Sequence, residues 1–177
     1  HNALWTYAQR TKAFQLPRLS DFKDYAAAKS FYQTVPFPAV KIVLTGTGRV
    51  GQGAALVLKD MGIRKVSPED FLEKEFEEAV FTQLRCEHYV AHQKKKAFST
   101  QHFYAYPGEY KSIFEPYAKT ADIMINGIFW DNEAPAFFTR EDMQHSDFNI
   151  QVISDVTCDI APVSSIPSTL RATTIDE

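Results

Sequence analysis

The sequence predicts an α/β fold: a Rossmann-type, doubly wound, mainly parallel sheet with N-terminal linking helices. Three observations carry that expectation. A short aliphatic strand runs through a glycine-rich turn into a helix in "KIVLTGTGRVGQGAALVLKDMG", residues 41–62. Strand-like and helix-like segments then alternate along the chain, the pattern of parallel strands joined by crossover helices. With 177 residues, 45% of them apolar, the chain can bury one substantial core.

The elements follow in order. Leu4, Tyr7 and Ala8 lie at helical spacing, and Phe22, Tyr25 and Ala26 repeat it behind a Ser20-Asp21 cap, which predicts two helices within residues 1–33. Pro36 and Pro38 end any helix and lack the N–H that a sheet needs, so a boundary falls there. Residues 1–38 therefore read as linking helices and residues 39–177 as a nucleotide-binding domain. Ile42, Val43 and Leu44 are consecutive aliphatics, as in a strand buried on both faces. A helix over residues 50–61 follows, Gly62 suits its C-cap, and residues 64–67 make a short second strand. Strand, turn, helix and strand close within about 30 residues, the context that a dinucleotide-binding glycine motif requires. Later strands are expected at residues 80–84, 123–128 and 149–156, with a helix at 109–119 and a short one after Thr139. Residues 86–107 are the least regular and read as an inserted loop carrying Lys94, Lys95 and Lys96.

Composition removes several classes of function. A net charge of −3 and a pI near 6.0 leave no basic footprint for nucleic acid. No apolar run reaches the roughly 18 residues that would span a bilayer, so no membrane association is expected. Two widely spaced cysteines, Cys86 and Cys158, make no disulfide framework and fit a reducing cytoplasm. The chain opens on His1 rather than Met, as a processed or partial chain would.

Gly46, Gly48 and Gly51 form G-x-G-x-x-G between the first strand and its helix. In such a motif the first glycine permits the tight turn, the second lets backbone approach a pyrophosphate, and the third lets helix and strand pack closely. The N–H groups of the first helical turn, with the helix dipole behind them, favour a bound diphosphate, so Arg49 and Val50 join the expected cofactor site. A Walker A loop is excluded, because Gly53-Ala54-Ala55 stands where Lys-Ser or Lys-Thr would follow the glycines. An NAD site usually places an acid about 20 residues beyond the first glycine, on the ribose hydroxyls. Here Glu69 and Asp70 come late, while Arg64 and Ser67 would suit the 2′-phosphate of NADP, which leaves NAD and NADP both open.

Ligands of open parallel sheets lie outside the carboxyl ends of the strands. In "INGIFWDNEAP", Asn126 and Gly127 break a strand, and Phe129 and Trp130 are either cofactor contacts or core aromatics. In "ISDVTCDIAP", Thr157, Cys158 and Asp159 lie at the end of the last strand, with Asp159 best placed to orient a substrate amine. Asp155, inside the apolar strand, is expected to make a structural hydrogen bond.

Taken together, "GTGRVGQGA", "ADIMINGIFWDNEAPAFFTREDM" and "VISDVTCDIAPVSSIPSTLRATTI" resemble the nucleotide-binding domain of NAD-dependent, lysine-forming saccharopine dehydrogenase, over most of residues 39–175. The same domain type occurs in the alanine dehydrogenase and pyridine nucleotide transhydrogenase group. There the corresponding D-V-x-x-D is followed by Gln-Gly-Gly, whereas Ile160-Ala161-Pro162 follows Asp159 here. The resemblance implies that Gly48 and Arg49 meet the cofactor phosphates, Phe129 makes an aromatic cofactor contact, and Val156 lines the nicotinamide side. Thr157, Cys158 and Asp159 would face an amino-acid substrate. The family's general acid and base, a lysine and a histidine, belong to a preceding domain, so no catalytic group is expected in this segment, and residues 1–38 would lead in from that missing partner domain. Two departures stand out: the late acid after the second strand, and a 71–107 region without close counterpart in the fungal enzymes. The alternatives are an alanine dehydrogenase-like oxidative deaminase and a non-catalytic nucleotide-sensing module.

Cys86, His88 and His92 place a thiol and two imidazoles close in sequence, yet no fourth zinc ligand is evident because His102 lies beyond the lysine run. No metal is expected.

Overall fold

The computed structural model describes residues 1–157 and 159–172. Five parallel strands form one sheet: β1 (Lys41–Thr45), β2 (Arg64–Lys65), β3 (Val80–Leu84), β6 (Ile123–Asn126) and β7 (Val152–Asp155), in the order β2-β3-β1-β6-β7. Helices cover both of its faces, and the fold is α/β and Rossmann-like.

Alternation along each strand divides the core in two. Ile42, Leu44, Phe81, Ile123 and Ile125 point to one face, where they meet α1 (Asn2–Thr11), α2 (Tyr25–Tyr32) and α3 (Arg49–Asp60) through Leu4, Ala28, Tyr32 and Leu58. Val43, Val80, Leu84 and Met124 point to the other, against Phe71 of α4 (Pro68–Glu73) and Tyr117 and Ala118 of α6 (Glu115–Thr120). The handedness rule for parallel crossovers explains the division. The chain moves outward from β1 to β2 and then turns back across the sheet, so right-handed connections put α3 on one face and α4 and α6 on the other. The first face lies open beside α3, and α1 fills it by packing against β6 and β7. The N-terminal helix thus shares one hydrophobic core with the sheet.

Several elements differ from expectation. Asp24, not the Ser20-Asp21 pair, caps the second helix by accepting from the Ala27 amide at 2.9 Å, while Leu19–Asp21 forms a single 3-10 turn. The helix expected over residues 109–119 splits into β5 (Tyr110–Ser112) and α6, because Pro116 sits where only a helix start tolerates it. The region expected as an inserted loop is ordered: β4 (Val90–His92) pairs antiparallel with β5, and α5 (Thr100–Ala105) is capped by Ser99. Its aromatics Tyr89 and Phe103, with Tyr110 of β5, extend the second core, so the segment packs on one face of the sheet. The second strand is only two residues long and lies at the sheet edge, with β3 between it and β1.

Candidate functional site

The glycine turn joins β1 to α3 at the carboxyl edge of the sheet. Gly46 has φ +93°, and a β-carbon on it would lie 2.5 Å from the Gly127 carbonyl oxygen. One on Gly51 would lie 2.1 Å from the Gly46 oxygen, and one on Gly127 3.0 Å from Val50 Cγ1. These three glycines are required by the fold itself, since turn, helix and the end of β6 touch through bare backbone. Gly48 is different: at φ −73° it adopts a conformation open to any residue, and a β-carbon there meets nothing within 4 Å. Among the described residues nothing requires a glycine at this position.

The turn is braced from below. The Gly46 amide donates to Leu84 O at 3.1 Å, Gln83 Nε2 donates to Gly46 O at 2.9 Å, and the Gly127 amide donates to Thr45 O at 3.1 Å. Above it, Gly48 is the N-cap of the twelve-residue α3 and offers no side chain to its first turn. By contrast α2, α4 and α5 are capped by Asp24, Ser67 and Ser99. Uncapped amides and the positive end of the helix dipole suit an anion. Arg49 and Val50, both exposed, border the same opening.

The connection after β1 lies on one face and that after β6 on the other, so the two strand ends flank a topological switch point, where open sheets bind their ligands. On the β6 side the chain continues through Ile128, the 90% exposed Phe129 and Trp130 into the wall of an aromatic cavity of about 310 Å³. Tyr89 and Phe103 form its far side. Burial, and then the neighbouring Cys86 thiol, push the Tyr89 hydroxyl well above its ordinary pKa, so it stays protonated.

Beyond β6, a closed polar network joins three strand ends. Thr45 Oγ1 donates to Asn126 Oδ1 at 2.6 Å, and Asn126 Nδ2 donates to Asp155 Oδ1 and Ser165 Oγ, both at 3.0 Å. Asp155 also accepts from Thr157 Oγ1 at 2.8 Å and Thr169 Oγ1 at 2.6 Å. Asp155 is the structural carboxylate that its place in an apolar strand suggests. Thr157 spends its proton on Asp155, and its oxygen lies 3.4 Å from the Asp159 amide, so the segment after β7 is held from one carboxylate. Val156 is 47% exposed at the same edge, and Cys158 lies outside the described residues.

Ser67 lies beyond the edge strand, where its Oγ accepts from the Asp70 amide at 3.0 Å to cap α4. Glu69 and Asp70 belong to the first turn of that helix, and Asp70 pairs with Lys74 at 2.8 Å. Cys86, His88 and His92 do not converge: His88 Nδ1 accepts from the Arg85 amide at 3.0 Å, and Cys86 Sγ rests 3.2 Å from Tyr89 Oη. His92 meets His102 and Glu109 instead, with Nε2 3.1 Å from Glu109 Oε2 but poorly aligned for a hydrogen bond. Its Nδ1 accepts from the Lys94 amide at 3.0 Å, which leaves the proton on Nε2 and no lone pair there for a metal. One support of the turn escaped sequence reading, Gln83 as its brace, which only the strand order exposes.

No family model matches the chain. Among curated proteins it is 27% identical over 130 residues to alpha-aminoadipic semialdehyde synthase, mitochondrial, from Mus musculus, covering 71% of this chain and 13% of that protein. The Rattus norvegicus protein of the same name matches equally, and that of Bos taurus is 28% identical over 107 residues, 58% of this chain and 12% of the relative. The chain is thus distantly similar to a part of these synthases. The chain spans about an eighth of the length of the relatives it matches. Among the described residues no helix is long and apolar enough to cross a membrane.

Proposed function

We propose that the glycine turn binds the pyrophosphate of a nicotinamide dinucleotide, and that the chain is the cofactor-binding part of a saccharopine dehydrogenase-like, lysine-forming oxidoreductase. The observation that carries this reading is Gly48. Gly46 and Gly51 are accounted for by the tight crossing alone, but a missing side chain that no neighbour requires, at the mouth of an uncapped helix, is accounted for by a ligand that needs close approach to backbone. Bound there, the coenzyme supplies hydride acceptance from an amine carbon. The residues of this chain bind and orient. The α3 amides and Arg49 hold the diphosphate, and Phe129 and Val156 flank the route toward the ends of β6 and β7. Asp159, after the end of β7, orients the amine of an amino-acid substrate, in the Thr157-Cys158-Asp159 stretch that the resemblance assigns to substrate. The proton-transfer groups that release lysine and 2-oxoglutarate after imine hydrolysis come from another domain of the same enzyme. Cys86 is a free thiol, in keeping with a reducing compartment.

The test is a fluorescence titration of NADH and NADPH against the chain and its Gly48→Val variant. The variant should lose roughly a hundredfold in affinity, about 2.7 kcal/mol, with an unchanged melting temperature. Undiminished binding by the variant would remove the pyrophosphate site.

A further inference from the structure

The aromatic cavity of about 310 Å³ opens on the second face of the sheet, and no residue of the glycine turn lines it. Its floor is apolar. Tyr89, Phe103 and Phe137 are buried there, with the Tyr89 and Phe137 ring centroids 5.0 Å apart at 60°. The polar atoms of that floor are already paired. Ser112 Oγ donates to Phe137 O at 2.6 Å and accepts from the Phe114 amide at 3.2 Å, and Tyr89 Oη lies 3.2 Å from Cys86 Sγ. A ligand therefore meets rings at depth and leaves no buried polar group of the floor unpaired. The space lies at the lower end of the roughly 300–1,000 Å³ of small-molecule sites, which suits a single ring with a short tail.

The mouth is different. Phe129 is 90% exposed there and Tyr104 66%, two rings left in water although both border the cavity. Asp131 stands at the same rim. Its Oδ1 accepts from the Glu133 amide at 2.9 Å and its main-chain oxygen from the Ala134 amide at 2.8 Å, so a turn fixes the carboxylate in place. Among the described residues no cation pairs with Asp131, and the lining holds no lysine, arginine or histidine. The formal charge of the cavity is thus negative. Its surroundings agree: burial first, then Cys86, Tyr104 and Glu87, raise the Tyr89 pKa, and each of these neighbours is an acid.

We propose that this cavity binds a small organic cation, a protonated amine carried on one aromatic ring, with the ring among Tyr89, Phe103 and Phe137 and the ammonium at Asp131 beside Trp130 and Phe129. The site is separate from the glycine turn and does not depend on the dinucleotide reading. Aromatic faces carry negative quadrupole potential and a carboxylate a full charge, so both attract a cation. An amino acid is a poor fit, because its own carboxylate would approach Asp131 with no basic group in the lining to receive it.

Four ligands of similar shape and different charge test this on the full chain by calorimetry: phenethylamine, 2-phenylethanol, phenylalanine and 3-phenylpropionate. Phenethylamine should bind with a Kd of about 0.1–1 mM, as suits so small a molecule, and 2-phenylethanol about tenfold more weakly. Phenylalanine and 3-phenylpropionate should be weaker still, and the advantage of the amine should shrink as salt is raised. Asp131→Asn should bring phenethylamine down to the affinity of 2-phenylethanol and leave the alcohol unchanged. Phe129→Ala should weaken the amine about threefold, a loss typical of an exposed cation–π contact. Both positions are exposed, so both variants should keep the melting temperature of the unmodified chain. Absence of saturable phenethylamine binding below about 10 mM, equal binding of 3-phenylpropionate, or an amine preference that survives Asp131→Asn would overturn the proposal. So would displacement of phenethylamine by NADH, which would make the cavity part of the dinucleotide site.

Discussion

The carboxyl ends of β1 and β7 lie two strands apart in one sheet, yet their polar groups are treated in opposite ways. At β7, Asp155 is surrounded by Asn126, Thr157 and Thr169, and the network is closed. At β1, the chain enters α3 through a glycine that caps nothing and whose missing side chain nothing fills. The contrast separates scaffold from site. Groups paired internally hold a shape, whereas donors left facing outward on a braced support are available to a ligand.

The comparison breaks most readily at its closed end. Asp155→Ala should leave one of the two Asn126 Nδ2 protons and two threonine hydroxyls without their acceptor, and cost about 3 kcal/mol in chemical denaturation. A loss under about 1 kcal/mol would show the network to be incidental. Gly51→Ala should cost about 2–3 kcal/mol, because its β-carbon would overlap the Gly46 oxygen and force helix from strand. Gly48→Ala should change stability by less than about 0.5 kcal/mol, since it meets open space. If Gly48→Ala and Gly51→Ala destabilised equally, the distinction between site glycine and packing glycine would fail. Ser67→Ala should lower stability by about 1 kcal/mol through loss of the α4 cap, and leave dinucleotide affinity untouched, as a scaffold residue does. A drop in dinucleotide affinity would move Ser67 into the site.

Much of the sheet was readable along the chain. Residues 80–84 stand as expected, and the strands expected at 123–128 and 149–156 are shorter, Ile123–Asn126 and Val152–Asp155, because Gly127 and the loop after Asp155 leave the ladder. The 86–107 segment was not readable, because β4 within it and its partner β5 just beyond it are three residues each and neither shows an alternation long enough to register. The neighbour of β1 was hidden for another reason. A spacing rule of about 20 residues presumes that the second strand lies beside the first, and it pointed to Arg64, Ser67, Glu69 and Asp70.

What the sequence by itself determined is therefore local: a strand, a G-x-G-x-x-G turn and a helix with its glycine stop, since glycine conformation and hydrophobic period act over a few residues. Tertiary structure decided the rest. The short second strand is too brief to hold a central place, so β3 sits between it and β1 and brings Gln83 to the turn. Asp155 likewise acquires its meaning from Asn126 and Thr169, partners that no local pattern along the chain can name.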